Sequence, residues 1–164
     1  MTAATLLPLF EQIQSSPVGQ TIRHSAALIA LLEIVHLIGL TLLLGTILMV
    51  DLSLLGYGIG SQSTARVALG LRNWTTAGLW VLLATGPLIF ISEAVKCYKS
   101  PVFWIKMALL VLAIWFHFTT HRRTALADPP PPDAKGVAIL SLVLWFGVAL
   151  AAKAIAIFPP PGGG

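Results

Sequence analysis

The sequence predicts an all-α integral membrane protein, a four-transmembrane-helix up-down bundle with a short N-terminal interfacial helix. Composition comes first: 57% of the 164 residues are hydrophobic and only 10% are charged, against roughly a quarter charged in a soluble domain. Six Asp and Glu with ten Lys and Arg cannot coat a water-facing surface of this length, so most of the chain must face an apolar solvent. The third observation is length. Dividing the chain by the roughly 20 apolar residues that cross a bilayer leaves room for about four spans and short loops. Disorder and coiled coil are excluded on the same grounds, and residues 1–158 read as one membrane domain.

At the N-terminus, Leu6, Leu9, Phe10 and Ile13 fall on one stripe of a helix over about residues 2–16, which predicts a segment lying in the membrane interface. There is no basic stretch followed by an apolar run and a cleavage site, so it does not read as a signal peptide. Pro17 and Gly19 are expected to break it. The first span is expected over 24–50, interrupted only by Glu33, His36, Thr41 and Thr46, and ended by Asp51. A Gly- and Ser-rich loop covers 56–70. The second span, 74–96, carries Trp74 and Trp80 as interface anchors and a kink at Gly86-Pro87.

Pro101 suits the first position of the third span, 101–120, because its missing N–H would be unpaired there anyway. Arg122 and Arg123 close that span, and Pro129 to Pro132 form a solvated, semi-rigid loop. The fourth span covers 136–158, and 159–164 is a flexible tail. An even number of spans puts both termini on one side. With Lys106 and Lys153 set aside as lying inside apolar runs, the basic residues favour the side of the long loops: Arg66, Arg72, Arg122, Arg123 and Lys135 against Arg23, Lys96 and Lys99. The loops are therefore expected in the cytoplasm and the termini in the periplasm.

The net charge of +4 does not point to nucleic acid, because the basic residues are scattered with no aromatic interleaving. The single cysteine, Cys97, has no Cys or His neighbourhood that suggests a metal or redox pair. The histidines are more informative. All four lie in or beside two spans, His24 and His36 on the first, His117 and His121 on the third, and an ionisable group inside a bilayer is a functional candidate with a partner to be sought.

His36 is expected roughly 15 Å into its helix and His117 roughly 24 Å into its own, entering from the same side. First and third helices are diagonal neighbours in an up-down bundle, where a flat macrocycle can sit between them. The expectation is haem b, ligated by His36 and His117. Glu33, in E-x-x-H with His36, is placed to orient that imidazole. A di-iron site is disfavoured, because it needs a second E-x-x-H and two more glutamates. Lys106, Lys153 and Lys96 supply positive charge for haem propionates, with Glu93 balancing the surplus. Core histidines bonded to carbonyls, and lysines snorkelling to the interface, are the bland readings of the same residues.

His117 and His121, at i and i+4, are weak candidates for a second metal such as copper. A competing reading is a copper or other metal-ion handling protein, with or without haem, and a third is a non-catalytic membrane scaffold. Gly39, Gly45, Gly78 and Gly147 let helices approach closely and suggest a homo-oligomer. A quinone or a redox protein is the expected electron partner.

Five stretches carry a resemblance: EIVHLIGLTLLLGTILMVDL at 33–52, GPLIFISEAVKCY at 86–98, FWIK at 103–106, FH at 116–117 and SLVLW at 141–145. The chain resembles an uncharacterised family of four-helix bacterial inner-membrane proteins, a domain of unknown function, from about residue 10 to 157. The resemblance implies a four-span bundle with Glu33, His36, Glu93, Lys96, Lys106 and His117 at recurring polar positions; His24 and His121 fall outside them. The architecture is similar to that of membrane b-type cytochromes and copper-resistance membrane proteins, an analogy of fold that does not fix function.

Overall fold

The computed structural model describes residues 6–58 and 62–157. Four of its helices are long and apolar enough to cross a membrane, Ala26–Leu54, Thr64–Ser92, Pro101–Leu126 and Ala134–Ile155. Among the described residues there is no strand. Residues 1–5 of the expected interfacial helix, Phe158 of the fourth span and the 159–164 tail lie outside the described set.

Two short helices precede the first span, α1 (Leu7–Gln14) and α2 (Pro17–Arg23). Pro17 therefore starts a helix where the sequence suggested only a break. Proline is preorganised for that first turn, and the Ser16 hydroxyl accepts a hydrogen bond from the Gly19 N–H at 3.2 Å. Phe10 of α1 packs its ring against Tyr98 at 4.6 Å and against Phe90 and Trp104 at 6.0 and 6.3 Å. The Gln14 side chain accepts from the Val95 N–H at 3.0 Å, so α1 is fastened to the end of the bundle by packing and by a hydrogen bond.

The first span, α3 (Ala26–Leu54), is capped by the Ser25 hydroxyl, which accepts from the Leu28 N–H. It runs past Asp51 instead of ending there, and Gly56, at φ 96°, makes the turn that follows. The second, α4 (Thr64–Ser92), begins ten residues before the expected start at residue 74, because 65–71 is mostly apolar and Ser63 takes the cap position. The helix is continuous through Pro87. It stops at Glu93, short of the expected 96, and a separate short helix α5 (Ala94–Lys99) follows.

The third span comprises α6 (Pro101–Phe116), one π-helical turn over His117–His121, and α7 (Arg122–Leu126). It outlasts the expected end at 120 because Arg122 and Arg123 are exposed and continue the helix at the membrane boundary. The fourth, α8, covers Ala134–Ile157. The first span packs on the second and fourth, and the third on the fourth, so the first and third are diagonal as expected; the second meets the third mainly through α7.

Two glycines set the closest approach. A Cβ on Gly78 would come within 2.8 Å of the Leu43 nitrogen, and one on Gly39 within 2.7 Å of Val81 Cγ1, so these residues pack α3 on α4 inside one chain. Gly45 has no atom within 4 Å of the equivalent point. The interior is built on Leu43, Ile47, Phe116, Leu144 and Trp145. Large apolar residues such as Leu37, Ile38, Val111, Trp115 and Leu150 are exposed along the spans, as a lipid solvent requires.

Candidate functional site

The expected site residues separate into two groups at opposite ends of the bundle. At the end that carries the termini, His36 is half-buried between α3 and α4, and its Nδ1 lies 2.7 Å from the Thr85 hydroxyl oxygen. Thr85 Oγ1 also lies 2.7 Å from the Val81 carbonyl. A hydroxyl has one proton to give. Thr85 donates it to Val81 and accepts from the His36 Nδ1–H, which leaves the lone pair of His36 on Nε2. No hydrogen-bond partner for Nε2 occurs among the described residues. A Cβ on Gly86 would touch only His36 Cε1, at 3.7 Å, so the absent side chain leaves space beside the ring.

Lys106, half-buried one turn into α6, lies within electrostatic reach of His36. No carboxylate pairs with it among the described residues. Glu93 and Lys96 form an ion pair at 3.0 Å, both well exposed, and Lys153 is exposed near the end of α8. Cys97 lies among these charges. Burial pushes its thiol up to about 11, Glu93 pushes the same way, and Lys106 and Lys96 oppose them. Glu33 is exposed on α3, and the residue that holds the His36 ring is Thr85, in the place expected for Glu33. His24 is exposed and lies 2.8 Å from Gln20 Oε1.

The second group lies toward the long loops. Asp51, fully buried, meets His121 with Oδ1 2.7 Å from Nε2, and the two side chains are 0% and 3% exposed. The π turn puts His117 beside His121 with the rings stacked 27° apart and their centroids at 5.2 Å. Ser141 of α8 neighbours the carboxylate, yet Ser141 Oγ and Asp51 Oδ2 are both without a hydrogen-bond partner, as are Nδ1 of His117 and Nδ1 of His121. A cleft of about 610 Å³ adjoins this cluster, with His117, His121, Trp80 and Phe118 in its walls and Arg72 and Arg122 among its lining residues.

The two groups are far apart. Ile47 and Val50 line the cleft with His117, and Ile47 is about 11 residues, or about 16 Å of helix rise, beyond His36. Two imidazoles on one metal ion, each about 2 Å from it, have their nitrogens about 4 Å apart. The structure thus brings His36 together with Lys106 but does not bring His36 together with His117. Among the described residues, no three His, Cys, Asp or Glu side chains converge as metal ligands.

Sequence reasoning missed Thr85, Asp51 and Ser141. Asp51 carried a usable signal, because Leu52, Leu54 and Leu55 continue the apolar run beyond it, and an acid inside a run asks for a partner. Thr85 and Ser141 had none, since small hydroxyl residues are ordinary in membrane helices. No curated protein and no solved structure matches the chain. A family of unknown function, DUF6644, matches it over residues 9–158. With that match covering nearly its whole length, and with four helices fit to cross a membrane, the chain belongs to the DUF6644 family of unknown function.

Proposed function

We propose that this chain is a multi-pass membrane protein that binds haem b through His36 and carries electrons to a quinone or a redox protein. The observation that carries the reading is the His36 tautomer. Its Nδ1–H is committed to Thr85 and its Nε2 lone pair is free beside the gap at Gly86, as a metal-binding imidazole held by a hydrogen bond from its other nitrogen requires. A haem bound there supplies a one-electron couple.

The residues around His36 fit such a group in other respects. Thr85 fixes the ring plane and keeps Nε2 unprotonated. Lys106, a half-buried cation without a carboxylate partner, has the charge to hold a propionate, and Lys96 and Lys153 add positive charge at the same end. Leu37 and Ile38, exposed on the same helix, give the region the apolar walls a macrocycle needs. In this reading the protein is a homo-oligomer of the bacterial inner membrane with both termini in the periplasm, so the haem lies toward the periplasmic face. His117 belongs to the other end of the bundle.

Purified protein from haem-replete cells should show a Soret band that shifts on dithionite reduction. His36→Ala should lose it, and His117→Ala should keep it. A colourless parent protein would defeat the reading, while loss of pigment in both variants would restore His117 as a ligand. Lys106→Met should lower haem occupancy or move the midpoint potential; if neither changes, Lys106 is only snorkelling.

A further inference from the structure

The cluster of Asp51, His117 and His121 plays no part in holding a group at His36. Burying an acid–imidazole pair in a membrane protein is costly unless its remaining hydrogen-bond capacity is used. His121 is nine-tenths buried or more, lines the cleft, and has an Nδ1 without a partner. His117 lines the same cleft with its own Nδ1 unpartnered. Native structures leave few buried polar atoms unpaired, and each asks for a water or a ligand.

Three features define what fits. First, the second span meets the third mainly through α7, and the cleft lies between these two spans inside the bundle's apolar length, so a lipid-dissolved ligand reaches it more readily than a water-soluble one. Second, Trp80 and Phe118, 67% and 47% exposed, stand in its walls and offer aromatic faces to a flat ring. Third, neutral imidazole both donates and accepts. With His121 Nε2–H given to Asp51, its Nδ1 accepts, while His117 can serve as either donor or acceptor. A partner whose ring oxygen alternates between carbonyl and hydroxyl matches such a pair. A cleft of about 610 Å³ lies within the usual range of ligand pockets.

We propose that the cleft between the second and third spans binds the head of a membrane-dissolved quinone or quinol, with its ring against Trp80 and Phe118 and one oxygen on the His117 and His121 pair. The inference rests on the redox reading above for the choice of a redox-active ring, and it stands on different residues.

The test is equilibrium binding of a short-tailed benzoquinone, and separately of its quinol, to the full chain in detergent micelles, with protein-free micelles as the reference. Saturable binding of one molecule per chain is expected. Trp80→Ala and His117→Gln should each weaken it about tenfold, and neither should alter any Soret absorbance. Ala77→Phe fills the cleft from an exposed position without touching the buried polar groups and should abolish binding even if a His117 variant folds poorly. Partition equal to that of empty micelles, or binding that survives Ala77→Phe, overturns the proposal. So does displacement of the quinone by phosphatidylglycerol together with loss of that lipid's binding in Arg72→Gln and Arg122→Gln, which would make the cleft a phospholipid headgroup site. Quinone binding by a protein without haem would defeat the haem reading alone, and a haem protein with no quinone binding would defeat this inference alone.

Discussion

Asp51 and His121 make the most consequential contact between single residues in the bundle, because neither side chain has water to fall back on. Removing one partner of a buried pair leaves the other uncompensated, at a cost of about 3–5 kcal/mol. Asp51→Leu and His121→Leu should each lower the thermal unfolding temperature in detergent, and the double variant should recover much of the loss; additive single effects would show that the two side chains are not coupled. Cys97 offers a pH test of its surroundings. With its thiol pushed up to about 11, the proton is held through neutral pH, and the reactive thiolate becomes about tenfold more abundant with each pH unit until that value is approached. Alkylation by iodoacetamide should therefore be slow at pH 7 and still rising above pH 9; a rate that levels off near pH 8 would place the thiol in a more solvated setting. The sequence made His36 legible as a candidate, because an imidazole is rare inside an apolar run. It could not show that Thr85 is the residue that holds the ring, since the two are 49 positions apart and only the close packing of α3 on α4 brings them together.

At the scale of helices, that packing depends on Gly39 and Gly78. The Cβ of Gly78→Ala would meet the backbone of Leu43 at 2.8 Å and that of Gly39 at 2.9 Å, atoms that cannot swing aside as a side chain would, so the helices must separate. A loss of about 1–3 kcal/mol is expected, and, because Thr85 sits two turns further along α4, His36 should lose part of its support as well. Gly45→Ala, with open space at that point, should leave the isolated chain's stability within about 0.5 kcal/mol of the parent; a larger loss would mean that the Gly45 face is occupied, as in an oligomer. The four spans were legible because an apolar run of about twenty residues matches the thickness of a bilayer and exceeds what a soluble core needs. Their ends were less so: Gly and Ser before residue 64 masked the start of α4, and Asp51 read as a terminator because an unpaired acid belongs at a membrane boundary. The His121 contact that changes this reading is 70 positions away.

Across the whole molecule, the bundle carries its polar groups in two tiers, His36 with Lys106 and Cys97 toward the termini, and Asp51 with the His117 and His121 pair toward the long loops. A sequence read one span at a time places each histidine on its helix. The relative sliding of the helices, which decides who meets whom, is fixed by long-range contacts that no single span encodes. Orientation follows from charge. Arg66, Arg72, Arg122, Arg123 and Lys135 cluster at the loop end, so alkaline phosphatase fused after Lys99 should be active in the periplasm, and fused after Gly58 or Asp133 it should be inactive. The reverse pattern would invert the molecule and put His36 on the cytoplasmic side.

The π turn over His117–His121 has the geometry left by a one-residue insertion in an α-helix. Each residue of an α-helix advances about 100° around the axis, so the extra position rephases everything downstream of it by that angle. Deleting Thr119 should restore an unbroken α-helix and leave α6 in register with α8, while turning His121 and α7 away from their present faces. Related chains one residue shorter at this point would then keep the bundle and the His36 tier but lose the imidazole opposite Asp51, and among them Asp51 should be free to become an apolar residue.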